Sequence, residues 1–167
     1  MNDLSEIEHI LRKTLQNIDK RLEMSGKDYR WWSRHSENQM LFTGMAESGY
    51  EQLIQGYTDR GKARGFWQVE PKTVIDALNH YLPSHQAIEK AIIYVCEIKK
   101  IPYDKDRIRW MLTTNIAFNI CMARLWYWRA TSKAIPNNLN EMAKYWKIYY
   151  NTQSGAGEVA GFKLAAR

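Results

Sequence analysis

Residues 4–22 read LSEIEHILRKTLQNIDKRL, and the placing of the apolar side chains in that stretch decides the fold class. Leu4, Ile7, Ile10, Leu11, Leu15, Ile18 and Leu22 recur at spacings of three and four, the stripe of an amphipathic helix whose other face carries Arg12, Lys13, Lys20 and Arg21. Ser25-Gly26-Lys27-Asp28 breaks this helix, expected over 3–23, and the aromatic cluster Tyr29, Trp31 and Trp32 follows. Residues 1–33 therefore read as a helical arm ahead of a main body over 34–167. A second helix is expected from Ser36 to Ser48, with Met40, Leu41, Phe42 and Met45 apolar and Gly49 as its stop. A glycine-dotted loop runs from Gly56 to Gly65. Pro71 opens a helix ending at Pro83, another runs from His85 to Lys99, and residues 104–131 read as one long helix. Its stretch from Ile116 to Met122 is apolar enough to cross the core. After Pro136 and Asn137-Asn138, a helix spans Leu139 to Asn151, Gly155 and Gly157 break it, and a short tail helix closes the chain. No strand pattern and no internal repeat accompanies these helices, so the expected class is all-α.

At 167 residues the chain is sized for a single packed unit. Apolar residues at 45% and charged residues at 25% exclude a disordered or collagen-like chain. Aromatics stand out at 13%, with seven Trp and ten Tyr, more flat amphipathic surface than core filling needs. No segment approaches 18 uninterrupted apolar residues, and Asn2, Asp3, Glu6 and Glu8 replace the basic start of a signal peptide, so a soluble chain without a membrane span is expected. Cys96 and Cys121 sit in apolar helical patterns and read as buried, reduced thiols. His9, His35, His80 and His85 do not form a ligand set, and neither metal nor cofactor is expected. The net charge of +6 favours an anionic partner such as a cell-wall polymer, a nucleic acid or another assembly component. Nucleic acid is the weakest of these, because Trp126, Tyr127 and Trp128, beside Arg124 and Arg129, are spread around a helix rather than along one face.

The chemistry-bearing pattern is ordered. Glu47 ends the second helix in Ala46-Glu47-Ser48-Gly49, and Gly65-Phe66-Trp67-Gln68-Val69-Glu70-Pro71-Lys72-Thr73 begins 18 positions later. A carboxylate at a helix C-terminus meets the negative end of the backbone dipole, and rings such as Phe66 and Trp67 would desolvate it. Both effects favour the protonated form that a general acid needs near neutral pH. Glu70, before Pro71 at a helix start, reads as a structural acceptor before it reads as a second acid.

These residues resemble the lysozyme-like lytic transglycosylases of the soluble-lytic-transglycosylase type. The family's motifs are a Glu-Ser at a helix end, a Gly-Leu-Met-Gln-x-x-Pro-x-Thr segment and a later Tyr-Asn-Ala-Gly, here Glu47-Ser48, Gly65 to Thr73, and Tyr150-Asn151-Thr152-Gln153 followed by Gly155-Ala156-Gly157. The chain is more similar still to small phage and prophage proteins of this fold carrying Gln-x-Glu-Pro-x-Thr and a Tyr-Trp-Lys-x-Tyr-Tyr-Asn-Thr-x-x-Gly-x-Gly segment, present here as residues 145–157. The resemblance implies a lysozyme-like helical domain with an extra N-terminal amphipathic helix. It implies a virion-associated enzyme, made in the host cytoplasm, that cleaves peptidoglycan glycan strands at the host cell wall during genome delivery. Glu47 would then be the catalytic acid, with Ser48, Trp67, Gln68, Tyr150 and Asn151 binding substrate. The product, a 1,6-anhydro sugar or a hydrolysed end, stays open. The alternative is a catalytically silent virion protein that keeps the fold and meets other virion proteins through residues 1–33.

Overall fold

The computed structural model describes residues 4–51, 53, 62–151 and 157–166. Among them the chain is all-α, with eight helices and, in place of a sheet, one isolated bridge between Arg64 and Val69. The helices are α1 (Leu4–Met24), α2 (Arg34–Ser48), α3 (Pro71–His80), α4 (Gln86–Val95), α5 (Lys105–Thr114), α6 (Ile116–Ala130), α7 (Leu139–Trp146) and α8 (Val159–Ala165). A 3₁₀ turn at Leu82–Ser84 joins α3 to α4, and a π turn at Lys147–Asn151 continues α7.

The expected stripe of α1 is inside the protein. Leu11, Leu15, Ile18 and Leu22 have no exposed surface and pack in the same core as α4 and α6. The segment after α1 is also tied down: the Asp19 carboxylate accepts from the backbone N–H groups of Trp31 (2.5 Å) and Trp32 (3.0 Å). The apolar face of the expected arm is thus used within the chain, and burying those four side chains stabilises the fold by roughly 2 kcal/mol each.

Residues 104–131 form two helices instead of the single expected one. Asn115 takes an extended conformation (φ −112°, ψ 98°), ending α5 and capping α6, where its Oδ1 accepts from the N–H of Phe118 at 2.9 Å. Its amide also donates to the carbonyl of Cys96 at 3.0 Å, so a third segment holds the corner. A short polar side chain that satisfies a helix start competes well with helix continuation. α6 then crosses the core, with Phe118, Ile120, Cys121 and Ala123 fully enclosed. Three other ends also fall short of expectation: α3 stops at His80 and Pro83 lies in the following 3₁₀ turn, α4 stops at Val95, and α7 gives way to the π turn after Trp146.

α2 has the expected stop and a firm start. Ser33 and Ser36 bond each other's backbone N–H groups as a capping box, and Gly49 closes the helix in the left-handed region at φ 59°. A satellite core of Met142, Ala143, Trp146 and Phe162 binds α7 and α8 to Phe42 and Ala46 of α2. This small core places the ring of Trp146 beside the carboxyl end of α2. Among the described residues, no helix is long and apolar enough to cross a membrane.

Candidate active site

Glu47 occupies the last turn of α2 and faces a cleft of about 470 Å³. The cleft is also lined by Gln68, Glu70, Trp146, Tyr150 and Asn151. The three sequence motifs, far apart in the chain, are joined around it by hydrogen bonds. Ser48 Oγ, at the end of α2, donates to the carbonyl of Phe66 at 2.8 Å. Tyr150 Oη, in the π turn, donates to the carbonyl of Trp67 at 2.6 Å. Trp146 Nε1 donates to Glu47 Oε1 at 2.9 Å.

The middle motif is a tight turn whose two bridge residues, Arg64 and Val69, exchange backbone hydrogen bonds at 3.0 Å. Gly65 takes φ 71° there, and a Cβ on it would lie 2.3 Å from the carbonyl oxygen of Leu112 and 2.4 Å from Asn119. Only glycine fits that approach. Gln68 is also left-handed, at φ 48°, a costly conformation for a residue with a Cβ. Its Nε2 donates to the carbonyl of Gly65 at 2.8 Å, which locks the turn and holds the side chain at the cleft.

Burial controls the chemistry of Glu47. Its carboxyl accepts one charge-favouring hydrogen bond, from Trp146, and no cation pairs with it among the described residues. Desolvation outweighs that bond and pushes the pKa from 4.5 up to about 7. The negative end of α2 acts in the same direction. A carboxylic acid so placed is protonated near neutrality and, with Trp146 steadying the anion, can give up its proton and take it back.

The site residues expected from the sequence divide into two groups. Glu47, Gln68, Tyr150 and Asn151 come together on one cleft. Ser48 and Trp67 do not reach it as ligands. The Ser48 hydroxyl bonds the carbonyls of Phe66 and Gly44 and the N–H of Tyr50. Trp67 is fully enclosed, and its indole N–H donates to the carbonyl of Met40 at 2.7 Å, so its ring cannot stack on a sugar. Both clamp the turn to α2. The rings lining the cleft with Glu47 are Trp146, Tyr150 and Phe162, replacing the expected Phe66 and Trp67. Thr152, Gln153, Ser154, Gly155 and Ala156 of the third motif lie outside the described residues.

Trp146 and Glu158 were not singled out from the sequence, and Gly157 and Glu70 take roles the sequence did not specify. Trp146, the partner of Glu47, stands four residues before Tyr150, a spacing that puts both on one side of a helical turn. Gly157 has a steric reason: a Cβ would lie 2.5 Å from Trp146 Cη2 and 2.8 Å from Asn151 Nδ2. Glu70 and Glu158 also line the cleft, and neither caps the helix it precedes. Glu70 pairs with Lys72 at 3.0 Å. Among the described residues no group of three His, Cys, Asp or Glu side chains could hold a metal ion. Comparison with family models, curated proteins and solved structures finds no match to this chain.

Proposed function

We propose that the protein cleaves the glycosidic bond between N-acetylmuramic acid and N-acetylglucosamine in peptidoglycan, with Glu47 as the general acid. The reading includes a virion-associated role at the host cell wall, which comes from the resemblance of residues 145–157 to small phage proteins. The observation that carries the chemical part is the convergence of Glu47, Gln68, Tyr150 and Asn151 on one cleft, with the Glu47 carboxyl desolvated.

In this mechanism the protonated Glu47 gives its proton to the bridging oxygen as the bond breaks. Positive charge then develops at the sugar's anomeric carbon, and the neighbouring acetamido group of the substrate stabilises it, as in substrate-assisted glycosidases. Glu47, now a carboxylate steadied by the Trp146 N–H, takes a proton from the attacking hydroxyl. That hydroxyl is the sugar's own 6-OH, giving a 1,6-anhydro end, or water. Gln68 and Asn151 offer amide donors and acceptors for the acetamido groups and hydroxyls of the glycan.

The test is turbidity clearing of purified peptidoglycan by the wild type and by Glu47→Gln, which keeps the shape and removes the acid. Clearing by the wild type, reduced about 10²-fold or more in the variant, supports the assignment. Equal clearing by both defeats it, and clearing by neither moves the weight to the silent virion protein.

A further inference from the structure

A second cavity, of about 670 Å³, shares no lining residue with the cleft of Glu47. Its walls come from the segment before α2 and the first turn of α2, the end of α6 and the loop after it, with Tyr81 after α3 and Tyr145 of α7. Arg30, Arg124, Arg129 and Lys133 line it together with His35, and no carboxylate is among its lining residues. Trp128 is one of its aromatic walls.

Arg124 is the telling residue. It is 5% exposed, and its Nε donates to the carbonyl of Trp31 at 3.0 Å. Its two terminal amino groups make no hydrogen bond among the described residues and are not sealed from solvent, and its guanidinium lies over the Trp128 ring at 5.4 Å, on the wall of the cavity. A buried guanidinium in that state normally meets a carboxylate or another anion. The nearest acid that acts on it is Asp19, but both Asp19 oxygens are taken by the N–H groups of Trp31 and Trp32. Burial raises the pKa of Asp19, while the charges of Arg30 and Arg124 act to lower it. Burial also lowers the pKa of Arg124, to about 10, the mark of a cation short of compensation. Arg129, whose side chain also lines the cavity, has one amino group paired with Asp76 and the other, Nη1, buried without a partner. Lys133 and Arg30 stand exposed at the rim, where Arg30 has only a long 3.6 Å contact with exposed Asp28.

We propose that this cavity binds a phosphorylated ligand, its phosphate held by Arg124 and Arg129 and approached by Arg30 and Lys133. Cations reaching in from three segments suit a tetrahedral, doubly charged group better than a flat, singly charged carboxylate. Trp128, which packs on Tyr29 and Trp31 and faces the Arg124 guanidinium, gives the cavity an aromatic wall for a ring attached to that phosphate.

Calorimetric titration of the full chain with adenosine 5′-monophosphate, glycerol 1-phosphate and adenosine tests the proposal. Both esters are expected to bind, and adenosine at least about tenfold more weakly than its monophosphate. A tighter monophosphate points to a ring-bearing ligand, and equal esters to recognition of the phosphate alone. Arg124→Met is expected to lose about tenfold or more of the ester affinity. Because that change also orphans the Trp31 carbonyl, the exposed double variant Arg30→Ala/Lys133→Ala is titrated beside it, with about a fivefold loss expected. Adenosine binding as tightly as its monophosphate, neither ester binding at about 1 mM, or full ester affinity in the double variant overturns the proposal.

Discussion

α2 carries two glutamates ten residues apart, and the protein treats them in opposite ways. Glu37, in the first turn, has a side chain 1% exposed and is surrounded by donors: Arg12 Nε at 3.0 Å and Nη2 at 2.7 Å, Arg34 Nη1 at 2.6 Å, and the indole of Trp32 at 2.8 Å. Those partners outweigh the burial cost and hold its pKa below the usual carboxylate range. Glu47, in the last turn, has one indole and no cation, and its pKa is pushed up to about 7. The helix dipole favours the anion at the first position and opposes it at the second. Burial alone therefore does not decide what a carboxyl does. The partners decide, and they make Glu37 a structural anion and Glu47 an acid available for proton transfer.

The largest test of this contrast is Glu47→Gln, expected to lower peptidoglycan clearing about 10²-fold or more while leaving the urea midpoint at pH 7 in place or slightly raised. Glu37→Gln is expected to do the reverse. It leaves Arg12 and Arg34 without their partner, and since both can turn to solvent the cost is about 2 kcal/mol in urea unfolding, with clearing retained.

The pH dependence separates the pair further. The folded protein holds the Glu47 proton more tightly than the unfolded chain, so the stability from this group is complete below pH 4.5 and is lost as the pH rises through about 7. In a cleft open to water, the loss is about 1–2 kcal/mol, measured as the difference between wild type and Glu47→Gln across that range. Glu37 has the opposite sign: its contribution is present above the ordinary carboxylate range and disappears as the pH falls through its lowered value. The smallest effect comes from Trp146→Phe, which removes the one hydrogen bond that favours the Glu47 anion. It is expected to move the upper limb of the pH–activity profile further upward by about half a unit to one unit, worth roughly 1 kcal/mol.

Much of the fold was legible because its signals are local. The stripe of α1, the glycine stop of α2 and the proline start of α3 all stand where periodicity and capping put them. The break at Asn115 was hidden by the apolar run that follows it from Ile116, and the carbonyl of Cys96 that helps hold its capping side chain lies 19 residues away. The site shows the same division. The acid at the helix end and the glutamine of the turn followed from motif order, and they do share a cleft. What the motifs could not say was which way each side chain turns. Trp67 points inward because its indole finds the Met40 carbonyl, and Trp146 reaches the acid because the satellite core with Phe162 holds its ring there. The basic cavity was out of reach for the same reason: Arg30 and Arg124 are 94 positions apart and meet only when α6 crosses behind the segment leading into α2.

A carbon-13 NMR titration of the glutamate carboxyls, with Glu47→Gln and Glu37→Gln to assign the two signals, tests the contrast at its source. The expected result is a Glu47 midpoint near 7 and a Glu37 midpoint below the ordinary carboxylate range. A Glu47 signal titrating near 4.5 would contradict the account, since an ordinary carboxylate there would hold no proton to donate at neutral pH.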